Sequence, residues 1–187
     1  MTIVINFLGG PGSGKSTAAY GLIALLKARQ QNAELVQEFA KELTFRRDWA
    51  SLANQDIVTR EQDRRIRDLI GLVDFVVQDS ALPLGICYAQ GEFAEAEWFK
   101  RRVWELYDGY NNFTIFVRRK KVFEQSGRSQ NEQQSRALDT KIFDLFGAAR
   151  IDLIVDGDDK APETAYGALM NFTGESQWLG DGLQIRS

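Results

Sequence analysis

Gly9-Gly10-Pro11-Gly12-Ser13-Gly14-Lys15-Ser16, with Thr17 next, is the stretch on which the reading of this chain turns. It satisfies the pattern G-x-x-x-x-G-K-[ST], a loop whose inward N–H groups cradle the phosphates of a nucleoside triphosphate. Glycines let the backbone curl tightly enough to present those donors. Lys15 would reach the β- and γ-phosphates, and the Ser16 hydroxyl would ligate Mg²⁺. A helix after the loop adds its positive N-terminal end. The triphosphate is therefore expected on Gly10, Pro11, Gly12, Ser13, Gly14, Lys15, Ser16 and Thr17.

The context agrees. Ile3-Val4-Ile5-Asn6-Phe7-Leu8 precedes the loop as an apolar run of strand length. After it, Ala18, Leu22, Leu25 and Leu26 recur at helical spacing. The motif thus sits at the strand–loop–helix junction it requires. An ordinary Gly-rich turn would explain the glycines but gives Lys15-Ser16 no purpose.

Outward from the loop, strands and helices alternate. The spacing predicts a first strand over 2–8 and its helix over 14–30. A second strand runs Ala33 to Glu38, and residues 39–53 read as interrupted helix. Ser51 or Asn54 caps a longer helix to about 72, with Ile66, Leu69, Ile70 and Val73 on one face. Phe75 to Asp79 is the third strand, with Pro83 in the loop region after it. An acidic helix follows over 92–108, then a fourth strand, Phe113 to Val117. Residues 118–133 read as a loop or lid, and Leu138, Ile142, Leu145 and Phe146 mark a helix. Ile151 to Val155 is the fifth strand, ended by Asp156-Gly157, and Pro162 starts a last helix to about 173. Strands this apolar are buried on both faces, as in a parallel sheet. The expectation is a three-layer α/β/α sandwich in one domain, 1–173, with a lid at about 118–136 and a tail from 174 to 187.

Bulk composition bounds the chemistry. The 187 residues are 44% hydrophobic and carry a single cysteine, Cys87, expected in the core. No histidine is present, so any general base must be a carboxylate, Lys, Tyr or Cys, and without histidine or a Cys cluster a zinc site is not expected. No apolar run reaches membrane-spanning length and no leader is seen before the first strand, so a cytoplasmic protein without membrane contact is expected. Net charge is −3, which disfavours a broad nucleic-acid footprint. The charge is uneven: residues 118–136 hold six Arg/Lys against two Glu.

In an open α/β sheet, ligands gather at the carboxyl ends of the strands. Here those ends carry the phosphate loop, Glu38, Asp79, Arg118-Arg119 and Asp156-Gly157, all expected at one cleft. Asp79 is placed to hold the Mg²⁺ shell opposite Ser16, and otherwise to close a turn with Ser80. Glu38 is placed to accept a proton from a substrate hydroxyl, and otherwise to cap a helix. Lys41, one turn on, would hold an anionic acceptor or pair with Glu38. The basic stretch is either a solvated charge run or a lid whose arginines spread transition-state charge, with Arg128 and Arg136 as the phosphate contacts. Four tryptophans invite a base-stacking role, but core packing is the leading reading, with Phe39 and Trp49 alone near the substrate side.

These segments resemble the nucleoside and nucleotide kinase branch of P-loop proteins. The nearest likeness is to the nicotinamide riboside kinase domain of the bacterial NAD-biosynthesis regulator NadR and related AAA-type domains. The residues that carry it are Gly9 to Thr17, Val36 to Glu42, Gln55 to Arg67 and Phe75 to Ser80. Gly127-Arg128 to Ile142 and the Val155-Asp156-Gly157 turn are similar to thymidylate-kinase-like enzymes. The resemblance implies a parallel sheet of order 2-3-1-4-5, ATP with Mg²⁺ as donor, and Asp156 near the adenine. It places the acceptor between the second-strand end, the helices after it, and the region after Asp79. Two signatures differ: Gln37-Glu38-Phe39 stands where the regulator family has Arg-Glu-aromatic, and Asp79-Ser80 where deoxynucleoside kinases have Glu-Arg. No adenylyltransferase segment accompanies the kinase-like one, and small stand-alone relatives occur among phage nucleotide-metabolism and DNA-modification enzymes.

The expected function is transfer of the γ-phosphoryl of ATP to a nucleoside, a nucleotide or a related small molecule, by a monomer or homodimer. A kinase acting on a DNA end or a modified base in DNA is the alternative, and a non-kinase regulatory ATPase ranks third.

Overall fold

Five apolar runs become strands: β1 (Ile3–Leu8), β2 (Ala33–Val36), β3 (Phe75–Gln78), β4 (Asn111–Arg118) and β5 (Leu153–Asp156). In the computed structural model, which describes residues 1–120 and 132–174, every pairing is parallel and the order is β2-β3-β1-β4-β5. β1 is central, and all six of its residues are buried. Its alternate side chains feed two layers. Ile3, Ile5 and Phe7 pack under α1 (Lys15–Ala28) and α8 (Ala161–Thr173). On the other side Val4 meets α4 (Gln55–Arg67) and α6 (Glu97–Asp108). Leu8 meets α5 (Leu84–Tyr88) and α7 (Glu132–Phe146). The three-layer sandwich and the strand order are as expected.

A polar row interrupts the second layer. Asn6 pairs in register with Gln78 on β3 and Thr114 on β4, and all three are buried. Buried polar groups need partners. The Asn6 amide donates to Val4 O (3.0 Å) and to Asn112 Oδ1 (2.9 Å), and Thr114 shares a 2.5 Å bond with the Tyr107 hydroxyl.

Several expected boundaries shift. β2 ends at Val36, so Glu38 begins α2 (Phe39–Arg46) rather than ending a strand. Asp48 caps the short α3 (Trp49–Ala53) by accepting from the Ser51 N–H. Asn54 caps α4 by accepting from the Ile57 N–H at 3.1 Å. That helix stops at Arg67, short of the expected 72, and leaves Ile70 and Leu72 exposed. A five-residue helix, α5, forms where only a loop is predicted. Trp104 packs with Tyr107 and Phe146, whereas Trp49 and Trp98 are exposed, against the core reading. Trp178 and most of the expected lid, with Arg128, lie outside the described residues. Cys87 is buried as expected, and burial pushes its thiol up to about 11. Among the described residues no helix is long and apolar enough to cross a membrane.

One contact positions the phosphate loop against the sheet edge. Gly157, after β5, donates its N–H to Arg118 O at 2.8 Å. A Cβ on Gly157 would lie 1.9 Å from Ser13 O. Gly157→Ala should therefore displace the loop and cost about 1–3 kcal/mol, the usual range for overpacking. Denaturant unfolding measures this, and an unchanged midpoint would show that the turn does not rest on the loop.

Candidate active site

Three loop glycines occupy the left-handed region: Gly9 (φ 134°), Gly12 (φ 75°) and Gly14 (φ 107°). Side chains there are strained, which is why the motif needs glycine. Gly14 is also the N-cap of α1, so the loop opens onto the start of a 14-residue helix. Lys15 folds back over the loop and donates from Nζ to Gly10 O at 3.2 Å. Burial lowers the pKa of its ammonium, against the opposing pull of Glu38, Asp79 and Asp139.

Because β3 lies beside β1, the residue after β3 emerges next to the first turn of α1. There the Ser16 hydroxyl donates to Asp79 Oδ2 at 2.8 Å. Asp79 is buried, and its Oδ1 has no hydrogen-bond partner among the described residues. A buried unpartnered carboxylate oxygen is costly unless something meets it. A hydroxyl beside such a carboxylate fits a Mg²⁺ ion, a hard cation that takes oxygen ligands. No group of three or more carboxylates, Cys or His forms a metal cage among the described residues. Phosphate oxygens and water would therefore have to complete the coordination.

Glu38 has extended backbone and makes no side-chain capping bond, so helix capping does not account for it. Burial raises its pKa, and Asp79 raises it further, while Lys15 and Lys41 oppose. Glu38, Lys15, Ser16 and Ser80 line a cleft of about 1170 Å³. Small-molecule sites commonly span about 300–1,000 Å³, so there is room for more than one ligand. Exposed Lys41 lines it, as do Phe45 and Trp49 at 77% and 59% exposure. Phe39 does not line it. Its N–H donates to Gln62 Oε1 at 2.9 Å, and its ring lies under the Arg65 guanidinium.

The strand ends do not all meet in one cleft. Arg118, Arg119, Arg136 and Asp139 line a separate hollow of about 440 Å³ floored by Phe116, Phe143 and Ile154. Asp156 accepts from Arg118 and Lys120, each at 2.8 Å. The Lys120 hydrogen bond, together with Arg118, holds its carboxyl below the usual range. Sequence reasoning missed Asp139 on α7. Its Oδ2 accepts from Arg119 Nε at 3.0 Å and its Oδ1 from the Gly10 N–H at 2.5 Å, which ties that helix to the phosphate loop. The available signal was slight: an acidic residue beside the inward-facing Leu138 and Ile142. Also missed were Gln55, Thr59 and Gly85 in the cleft wall.

The sequence matches a family model described as AAA domain over residues 4–162. Comparison with curated proteins finds no match. Among solved structures, the fold is similar to the APS kinase CysC of Mycobacterium tuberculosis in complex with AMPPNP and APS. That match has TM-score 0.52 and 16% identity, over 92% of this chain and 98% of the other. A cysteine-to-alanine variant of the same kinase matches with TM-score 0.50 and 17% identity, over 92% and 97%. A gluconokinase from Sinorhizobium meliloti 1021 matches with TM-score 0.45 and 17% identity, over 95% and 94%. At 16% and 17% identity, the two APS kinase matches with TM-scores of 0.52 and 0.50 show the fold alone.

Asp79→Asn should weaken ATP binding in the presence of Mg²⁺ about 10-fold or more, and leave metal-free ATP binding unchanged. Titration calorimetry with and without Mg²⁺ separates the two. Equal losses in both would make Asp79 a structural residue.

Proposed function

This chain belongs to the AAA domain family, and on that premise we propose that it is an ATP-dependent phosphotransferase acting on a nucleoside, a nucleotide or a related small molecule. One observation carries the reading: Lys15, Glu38 and Ser16, the last bonded to buried Asp79, line a single cleft that extends well beyond the phosphate loop.

The roles follow from position. The N–H groups of Gly12 and of Gly14 to Thr17, with the Lys15 ammonium, hold the β- and γ-phosphates. Mg²⁺, held by Ser16 and Asp79, would supply charge neutralisation at the phosphate oxygens. An acceptor hydroxyl oxygen bonds to the γ-phosphorus while the bond to the β–γ bridging oxygen breaks, and ADP leaves. Glu38 takes the hydroxyl proton and returns it to solvent. Its raised pKa makes it a stronger base than an exposed glutamate, which suits this task. Arg128, beyond the described residues, would add positive charge around the transferring group, whereas Arg136 lines the separate hollow and has no part in the transfer. Where the acceptor is a phosphate, its oxygen attacks and no base is needed.

A DNA acceptor, whether an end or a modified base, is the second reading. Exposed Phe45 and Trp49 at the cleft mouth favour it, because bases stack on such rings. The net charge of −3 counts against it. Salt-dependent DNA binding would support it.

Labelled ATP and a panel of nucleosides and nucleotides test the main reading. Transfer to at least one acceptor is expected, and tight ATP binding with no labelled acceptor would refute it. Lys15→Ala should lower transfer about 10²–10³-fold. It should leave the unfolding midpoint in place, and unchanged turnover would remove Lys15 from the chemistry.

The pH dependence has a definite sign for a hydroxyl acceptor. Glu38 must be ionised to accept a proton, and its pKa lies above the ordinary 4.5. The rate should therefore fall as pH drops through that raised value. Glu38→Gln should slow transfer about 10²–10⁴-fold and abolish this limb. A limb that survives in the Gln variant would assign the proton to another group.

A further inference from the structure

The inner face of α4 is polar where an amphipathic helix would be apolar. Its buried residues are Gln55, Thr59, Gln62, Asp63 and Ile66. Two of the polar ones serve the frame. Gln62 accepts from the Phe39 N–H and donates to Gln37 O, and Asp63 accepts from the Tyr110 hydroxyl at 2.5 Å and pairs with Arg67.

The other two, one helical turn apart, line the cleft. Gln55 spends its amide N–H on Leu52 O at 3.2 Å, which leaves Oε1 for the cleft. The Thr59 hydroxyl makes no hydrogen bond among the described residues. Opposite them stands Gly85, inside α5 and without a left-handed backbone to explain it. A Cβ there would come within 3.3 Å of Thr59 Oγ1 and 3.4 Å of Gln55 Oε1. Glycine inside a helix costs about 0.5–1 kcal/mol relative to alanine. Any side chain at position 85 would crowd both oxygen atoms.

We propose that Gln55, Thr59 and Gly85 form the specificity subsite for an acceptor nucleoside without a phosphate of its own. This rests on the phosphotransferase reading and names its acceptor. Gln55 Oε1 accepts from a ring N–H, and the Thr59 hydroxyl bonds the neighbouring ring carbonyl. Leu52, Leu82 and the rim aromatics offer flat apolar surface to the ring. A nucleoside monophosphate needs a cationic clamp, usually guanidinium. Among the described residues the cleft is lined by Lys15, committed to the loop, and by exposed Lys41, with no arginine and with Glu38 on the same wall.

The test compares phosphorylation of nucleosides, the matching 5′-monophosphates and an oligonucleotide, in wild type, Gly85→Ala and Gln55→Leu. Nucleosides should show kcat/KM at least ~10-fold above the monophosphates. Each variant should raise acceptor KM by roughly 10-fold with kcat and ATP KM unchanged, the pattern of lost uniform binding. The Gly85→Ala methyl would crowd Thr59 Oγ1 at 3.3 Å, so its unfolding midpoint is measured beside the kinetics, and Gln55→Leu repeats the test without adding that contact. Preferred transfer to monophosphates or to the oligonucleotide would overturn this proposal and leave the phosphotransferase reading standing. Nucleoside transfer with unmoved acceptor KM in both variants would overturn the assigned subsite. No transfer to any acceptor would remove both.

Discussion

The hydrogen bond from the Ser16 hydroxyl to Asp79, 2.8 Å long, joins two segments 63 residues apart in the chain. It exists because β3 pairs with β1 in parallel, with Gln78 in register with Asn6. That register brings the residue after β3 to the first turn of α1. A two-residue slip would move Asp79 by about 7 Å and break the pair. The same register aligns the buried polar row of Asn6, Gln78 and Thr114, which a slip of β3 would set against apolar neighbours. The site is thus a consequence of the strand register beneath it.

Around this bond, charge is collected where water is scarce. Burial lowers the pKa of Lys15 and raises that of Glu38, and the Asp79 carboxylate raises both. Burial weakens the charged form of each, while their mutual attraction restores it. A triphosphate with its metal ion would enter this field as the missing counter-charge. Asp139 extends the network to α7, bonding the Gly10 N–H and Arg119 at once. The segment beyond β4 and the phosphate loop are therefore mechanically connected.

The sheet was legible in the sequence because its strands are apolar on both faces, and the loop because Gly, Lys and Ser at fixed offsets have few other uses. Asp79 could be placed for the same reason: a carboxylate closing an apolar run has one obvious position. Glu38 was misplaced by one element, since Leu35 and Val36 read as a strand that has no clear end before Phe39. Expecting a single cleft also failed. Arg118 and Asp156 neutralise each other at the outer edge of the sheet, in a pairing that only the β4–β5 register reveals. The acceptor wall was the least legible part. Gln55 and Thr59 look like solvent-facing helix residues, because a polar residue turned inward has no pattern of its own. α5 is only five residues long, too short for any helical period to show.

The central claim is that one cleft holds the phosphoryl donor at Lys15 and an acceptor against Glu38. A crystal structure of the protein with Mg²⁺, a non-hydrolysable ATP analogue and an acceptor nucleoside tests it most directly. The account predicts the triphosphate on residues 10–17, the metal ion on Ser16 and Asp79, and the acceptor hydroxyl within hydrogen-bond reach of Glu38. A nucleoside bound elsewhere, or Glu38 turned away from it, would contradict the account.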